Sequence, residues 1–294
     1  MKSPYQEGKQ HSWGEKIYAH SLADAFSNIG LPARVDDHNE WSSKSNADEA
    51  AVLIRGKLKY PYEAKRGSAS WLISEMIQSE VSKEADNHTA NFFASRLFFE
   101  GIKVRPQDSV LFQATDHRIF YPGERDYDGP TLFVGNNYRR WEVRPVIQKA
   151  LTEDLPVDVY GDRWDRKLNA DRLRAASISN LQLGELYRSA GVVLNDHRPT
   201  MLENGLISNR IFDVLACAVP LISDRIKGLP EGFEEFIYMF DEDTPLTDLI
   251  TQAKTESAAK RRKRTDFAQH VVQEYSFLAA AKTIAASLGL SRKA

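Results

Sequence analysis

The chain has 294 residues, which at about 150 residues per domain predicts two domains, each large enough to fold without a disulfide or metal staple. Its 42% hydrophobic and 27% charged content excludes a disordered chain, and 39 basic against 41 acidic residues, a formal charge of −2, give no overall pull toward nucleic acid or anionic membrane. The single cysteine, Cys217, excludes an internal disulfide; no apolar run approaches the ~20 residues of a membrane span and the first residues carry no signal-peptide core, so a cytoplasmic location is expected.

From Gly14 to Ile29 the apolar residues Tyr18, Leu22, Phe26 and Ile29 recur at helical spacing, and Gly30 and Pro32 close the helix. Short apolar runs follow at Ala51–Ile54, Trp71–Ile73, Asn91–Ala94 and Val110–Phe112, each the length of a buried strand. Pro122–Pro130 (PGERDYDGP) is rich in Pro, Gly and charge and reads as a linker. It divides the chain into domains 1–125 and 126–294. Beyond it, strands are expected at Thr131–Gly135, Val157–Tyr160, Gly191–Asn195, Pro220–Ser223 and Phe236–Phe240. Helices are expected at Trp141–Leu151, Leu183–Ala190 and Asn209–Ala216, and the tail from Thr244 reads as several helical pieces. This alternation predicts an α/β fold with two parallel sheets facing across a cleft, with ligands outside the carboxyl ends of the strands.

The segment Val193–Asp224 carries the most chemistry. A strand ends in Asn195, Asp196 and His197, a polar loop with Gly205 follows, and a helix opens at Ser208, a good N-cap. Arg210 in its first turn opposes the helix dipole, and a bound anion would reverse that sign. Free backbone N–H groups at a helix start, joined by a guanidinium, suit phosphate, and Asp213 one turn on suits vicinal hydroxyls such as those of a ribose. The alternative is a solvated Arg210/Asp213 ion pair worth little. Asp36-Asp37 reads as a solvated strand end rather than a metal-ligand pair. Cys217 reads as a small buried residue. Lys260–Arg264 (KRRKR) reads as a solvated helix face, with a nucleic-acid contact as its sharper alternative.

Asn195-Asp196-His197, Gly205 to Asp213 (GLISNRIFD), Ala216-Cys217-Ala218 and Pro220–Asp224 together resemble the donor-binding core of GT-B glycosyltransferases of the group 1 type, including the spore-maturation-like branch. Phe133-Val134-Gly135-Asn136 is similar to the first strand and glycine turn of that donor domain. Tyr160 to Trp164 (YGDRW), and Leu186-Tyr187 with Ala190 and Gly191, are similar to later segments of it. In the N-terminal half, Trp13-Gly14 and the following helix resemble the family's Trp-Gly-Asp turn, and Gln113 to Asp116 with Phe120 to Pro122 resemble the end of its acceptor domain. The family's second acidic position falls on Asp213 and its first on Gly205, with Glu203 nearby. Glu15 stands where an aspartate is usual, and Glu75 where a histidine often follows a strand.

The resemblance implies two Rossmann-like domains, with the C-terminal helix packed back on the first. It implies sugar transfer from a nucleotide-diphospho-sugar to an acceptor that is a glycan, lipid, small molecule or protein, without a metal or other cofactor and with retention. The donor would be held by Gly135, Asn136, Arg139, Gly161, His197, Ser208, Asn209, Arg210 and Asp213, with Arg140 and Arg198 as further cation candidates. Glu75 and Asp116 are the candidate catalytic bases. Nucleic acid is not an expected partner, and peripheral contact with a membrane is compatible with the basic run. A non-catalytic nucleotide-binding protein of this fold, or a nucleic-acid binder acting through residues 260–264, are the competing readings.

Overall fold

A computed structural model of the chain describes residues 1–3, 14–41, 49–55, 67–74, 81, 85–137, 143–164, 168, 169 and 171–291. The chain forms two compact units: one comprises Met1–Ala114, Pro199–Ile207 and Tyr275–Ala294, the other Thr115–Arg198 and Ser208–Glu274.

The first unit holds a parallel sheet of β1 (Ala51–Arg55), β2 (Ser68–Leu72), β3 (Ala90–Phe93) and β4 (Ser109–Val110), paired in that order. Lys2 adds isolated parallel bridges to Leu53 and Asp36 beside β1. Strands covered on both faces need no polar alternation, and β1 to β3 are buried throughout. The helix α1 (Gly14–Asn28) buries Tyr18, Leu22 and Phe26 against this sheet, and Gly30, at φ +82°, supplies the left-handed turn that ends it. The short helix α2 (Arg96–Glu100) follows β3 and is capped by the Ser95 hydroxyl. Asp36 is not a solvated strand end: it is 2% exposed and carries Lys2 at 2.7 Å and Arg34 at 2.9 Å. The bridge that brings Lys2 beside it makes the burial tolerable, since a buried carboxylate needs a paired cation.

The second unit holds a six-stranded parallel sheet in the order β10-β9-β8-β5-β6-β7. The strands are β5 (Thr131–Val134), β6 (Asp158–Tyr160), β7 (Leu173–Ala175), β8 (Val192–Asn195), β9 (Leu221–Asp224) and β10 (Ile237–Phe240). Numbered within the unit, this is the 3-2-1-4-5-6 order of a Rossmann sheet, whose switch point lies between β5 and β8. The helices of this unit are α3 (Pro145–Thr152), α4 (Asn180–Arg188), α6 (Asn209–Ala216), α7 (Leu246–Lys254) and α8 (Ala258–Glu274). Between them in the chain, α5 (Pro199–Asn204) belongs to the first unit, as does α9 (Phe277–Ser287), which packs on α1 through Phe277 and Tyr18. The core of this unit includes Phe133, Val146, Ile147, Val192, Leu194 and Trp164.

Several boundaries differ from the sequence reading for identifiable reasons. The helix expected over Trp141–Leu151 begins at Pro145, whose fixed φ suits the first helical position; Trp141 and Glu142 lie outside the described residues. The polar loop expected before Gly205 contains α5. The proline- and glycine-rich segment 122–130 is not where the chain changes unit. It is fastened within the second unit, where Arg125 donates to the carbonyls of Ala218 and Ala190 and Lys254 donates to that of Gly129. Tyr127 lies under the guanidinium groups of Arg125 and Arg261. The change of unit falls at Ala114/Thr115; the 126–294 segment is interrupted once, by Pro199–Ile207, and its last stretch, Tyr275–Ala294, belongs to the first unit.

Candidate functional site

The carboxyl ends of β5, β8 and β9 gather most of the polar side chains that the sequence singles out. Arg210, in the first turn of α6, donates from Nη1 to Asn195 Oδ1 at 2.7 Å, and the Tyr187 hydroxyl is a second partner. Its guanidinium lies 5.3 Å from the centroid of the Phe133 ring. Burial lowers its pKa, and the neighbouring Arg144 lowers it further, while Tyr187 and Asp196 oppose the shift. Among the described residues no carboxylate comes within ion-pair distance of Arg210. Nor, among them, does any group accept the backbone N–H of Asn209 or Arg210. A helix start with unpaired N–H groups and a cation without a counter-charge is a site for an anion.

Gly135, after β5, makes room for that cation. A Cβ there would lie 2.7 Å from Arg210 Nη2 and 3.1 Å from Arg144 Nη1. Gly161 backs the same turn: at φ +143°, its Cβ would lie 2.3 Å from the Gly135 carbonyl oxygen. The two turns are laced together. Trp164 Nε1 donates to Gly135 O at 2.9 Å, and Asn136 Oδ1 accepts from the Asp162 N–H at 2.8 Å. The side-chain oxygen of Asn136 thus serves the turn, its backbone carbonyl accepts from Arg144 Nη1 at 3.3 Å, and the residue as a whole is exposed.

Asp213 is buried. Its Oδ1 accepts from the Thr115 hydroxyl at 2.7 Å and its Oδ2 from the Asn209 amide at 2.9 Å. Burial pushes its carboxyl up to about 7, against the pull of Thr115, Arg210 and Asn209. It is therefore not a solvated partner of Arg210.

His197 is enclosed by protein. Its Nδ1 lies 2.5 Å from Asp224 Oδ1, its backbone N–H donates to Asp224 Oδ2, and its Nε2 accepts from the Ser208 N–H at 3.0 Å. The ring therefore offers a ligand no free nitrogen, contrary to a direct donor contact. Ser208 caps α6 by position, without a side-chain capping bond. Asp116 is engaged by Arg118, which donates to both carboxylate oxygens, at 2.9 and 2.7 Å. Arg198 is exposed. Glu75, Arg139 and Arg140 lie outside the described residues.

Arg144 is a residue of the candidate site that the sequence reading did not single out. It precedes α3, lies 4.9 Å from the Phe133 centroid, and bonds the Asp196 carboxylate and backbone carbonyl. Asp196 Oδ2 in turn accepts the Val146 N–H at the start of α3. The signal was an Arg-Pro step opening the first helix after a strand-glycine turn, which places a guanidinium at the switch point.

The basic run is largely spent on packing rather than solvated. Arg264 is 1% exposed and pairs with Glu256, Lys260 donates to the Tyr238 hydroxyl, and Arg261 lies over Tyr127. Only Arg262 and Lys263 of the five are exposed. Cys217 is buried, and its thiol is pushed up to about 12 by burial, which suits packing and not nucleophilic chemistry. Among the described residues no group of three His, Cys, Asp or Glu side chains could hold a metal ion, and no helix is long and apolar enough to cross a membrane.

Similar folds recur among glycosyltransferases. A glycosyltransferase involved in avilamycin A biosynthesis matches with a TM-score of 0.64 at 11% identity, over 95% of this chain and 90% of that one. A T4 phage BGT mutant in complex with UDP-glucose matches at 0.55 and 11% identity, over 99% and 97%. Sucrose-phosphate synthase from Thermosynechococcus elongatus matches at 0.52 and 15% identity, over 74% and 66%. The chain spans about half, 53%, of the matched chain of a GtfA/B complex. No curated protein matches. These likenesses identify the two parallel-sheet units as the GT-B fold. A model of the glycosyl transferase-like family matches residues 139–286, half of the chain, and covers Arg144, Asn195, His197, Arg210 and Asp213. With that match over a Rossmann sheet whose switch point holds a cation and a helix start, the chain belongs to the glycosyl transferase-like family.

Proposed function

We propose that this protein transfers a sugar from a nucleoside-diphospho-sugar to an acceptor hydroxyl, with the diphosphate bound at the ends of β5 and β8 and the start of α6. The observation that carries the reading is Arg210. It is a cation without a carboxylate partner among the described residues, set at a helix N-terminus and beside a glycine whose missing side chain admits it. Transfer breaks the bond between the anomeric carbon and the diphosphate oxygen and forms one to the acceptor oxygen. Charge builds on the departing diphosphate, where a guanidinium and backbone N–H groups stabilise it. This neutralisation needs no metal ion.

Gly135 and Asn136 offer close backbone approach to the phosphates, with Gly161 supporting their turn. Ser208 and Asn209 supply the helix start, and Asp213 is the acceptor for ribose hydroxyls once Thr115 or Asn209 yields a bond. Arg139, five residues before Arg144 in the sequence, remains a further cation candidate for the phosphates. Because Asp116 is occupied by Arg118, retention with the donor phosphate as base is the favoured route, with Glu75 as the carboxylate alternative. Two similar folds were solved with UDP-glucose or UDP, so UDP-sugars are the first donors to try. The engagement of Arg264, Lys260 and Arg261 in packing disfavours nucleic-acid binding through the basic run.

A thermal-shift screen against UDP, GDP, ADP and their sugars tests the reading, since a ligand bound by the folded state alone raises the midpoint. A rise with one nucleoside diphosphate, joined by slow hydrolysis of its sugar, supports transfer. Binding with no hydrolysis or transfer would instead mark a nucleotide-binding protein, and no shift with any of them would overturn the reading.

A further inference from the structure

We propose that His197 is a positioning residue for the diphosphate site, holding the start of α6, and through it Arg210, in register with the ends of β8 and β9. The proposal rests on the donor reading above and adds a residue to it that no ligand touches.

The hydrogen bonds form a closed circuit. Arg210 Nη1 donates to Asn195 Oδ1 at 2.7 Å, and Asn195 Nδ2 donates to Ser223 Oγ at 2.8 Å. Ser223 Oγ donates to Asp224 Oδ1 at 3.1 Å, and His197 Nδ1 lies 2.5 Å from the same oxygen. His197 Nε2 accepts from the Ser208 N–H at 3.0 Å, which returns the circuit to α6. A backbone N–H can only donate, so Nε2 carries a lone pair and the ring proton sits on Nδ1, where Asp224 takes it. The imidazole side chain is fully buried, so no water competes for either bond.

The role differs from that of an ordinary core histidine in where its bonds end. One ends on the N-cap of the anion-binding helix, which lacks a capping bond from its own hydroxyl. The other ends on the carboxylate that also orders Ser223 and, through it, Asn195, the side chain that holds Arg210. The imidazole thus accepts the N-cap N–H that a capping-box side chain accepts in other helices. Losing either bond frees the helix start relative to the sheet, and the guanidinium is carried with it.

Two substitutions separate the two bonds. Glutamine places an amide oxygen near the position of Nε2 and can still accept from Ser208. Asparagine places an amide nitrogen near Nδ1 and can still donate to Asp224, but does not reach Ser208. The expected result is that His197→Asn weakens UDP binding about tenfold, the scale of one net hydrogen bond, and speeds hydrogen exchange at the Ser208 amide. His197→Gln produces the smaller loss on both readouts. If two folded variants bind UDP equally well, or if Ser208 exchanges at the same rate in both, the proposal is overturned. Failure of the wild type to bind UDP would count against the donor reading only. The imidazole 15N shifts, expected to report Nδ1–H in the unliganded protein, and the Ser208 exchange rates still decide the proposal in that case.

Discussion

Replacing Gly135 with alanine puts one methyl group into the space that Arg210 uses. The new Cβ would lie 2.7 Å from Arg210 Nη2, 3.1 Å from Arg144 Nη1 and 3.3 Å from Phe133 Cε1. Ordinary contact begins near 3.5 Å, so the Arg210 guanidinium must retreat by roughly 0.8 Å. A shift of that size takes its 2.7 Å bond to Asn195 to the edge of hydrogen-bonding distance. The atom that yields is the far end of a flexible side chain, so the fold loses about 1 kcal/mol, the scale of one hydrogen bond. A displaced guanidinium forfeits a charge-assisted bond to phosphate, about 1.5–3 kcal/mol, or roughly 10- to 150-fold in Kd.

Gly161→Ala is the control. Its Cβ would meet the Gly135 carbonyl oxygen at 2.3 Å and carbon at 2.6 Å, and φ is +143°. Backbone cannot yield as a side chain does, so this variant loses more than about 2 kcal/mol of stability. Calorimetric titration with UDP, beside urea unfolding of both variants, separates the two effects. Gly135→Ala with unaltered affinity, or with a stability loss as large as that of Gly161→Ala, would refute the claim that Gly135 is there for Arg210.

Two further outcomes follow from the charges. Burial holds the Asp213 carboxyl near 7 in the folded protein, against 3.8 ordinarily. A raised carboxyl stabilises the fold fully below its unfolded value and loses that contribution as pH rises toward about 7, with a slope of at most ~1.4 kcal/mol per pH unit. Asparagine cannot ionise, so the stability of wild type relative to Asp213→Asn should fall by a few kcal/mol between about pH 4 and 7 and then level off. Urea unfolding at pH 5 and pH 8 checks this, and an unchanging difference argues against the buried carboxyl. Arg144→Ala strands the Asp196 carboxylate, whose side chain is fully buried, and should cost about 3–5 kcal/mol. Its unfolding midpoint measures this, and restoring the midpoint with Asp196→Asn in the same chain would confirm the pairing.

The sheet of the second unit was legible because parallel strands buried on both faces are continuous apolar runs. Val192–Leu194 and Leu221–Ile222 stand out for that reason, and α6 was bounded at Asn209 and Ala216 by its cap and its apolar spacing. β7 escaped because Leu173–Ala175 is a half-exposed edge strand with arginine at its centre. The start of β2 escaped because Ser68, Ala69 and Ser70 are small rather than apolar, yet fully enclosed. Pairings distant in sequence were beyond reach: Lys2 with Asp36 and Arg144 with Asp196 each turn an apparently solvated charge into a buried one, and Arg264 does the same locally with Glu256, eight residues before it. His197 shows the same limit at the site. Its position after a strand suggested a ligand contact, and only the placement of Asp224 and Ser208 shows both ring nitrogens engaged.

The most direct test of the account is calorimetric titration of UDP into wild type and Arg210→Ala, with urea unfolding confirming that the variant is folded. Arg210 bonds only Asn195 and Tyr187 among the described residues and neutralises no carboxylate. Its loss strands the buried Asn195 Oδ1 and Tyr187 hydroxyl and should therefore cost about 1–3 kcal/mol of stability, leaving the protein folded, while weakening UDP binding at least about tenfold. Equal affinity in a folded Arg210→Ala protein would contradict a diphosphate site at the start of α6.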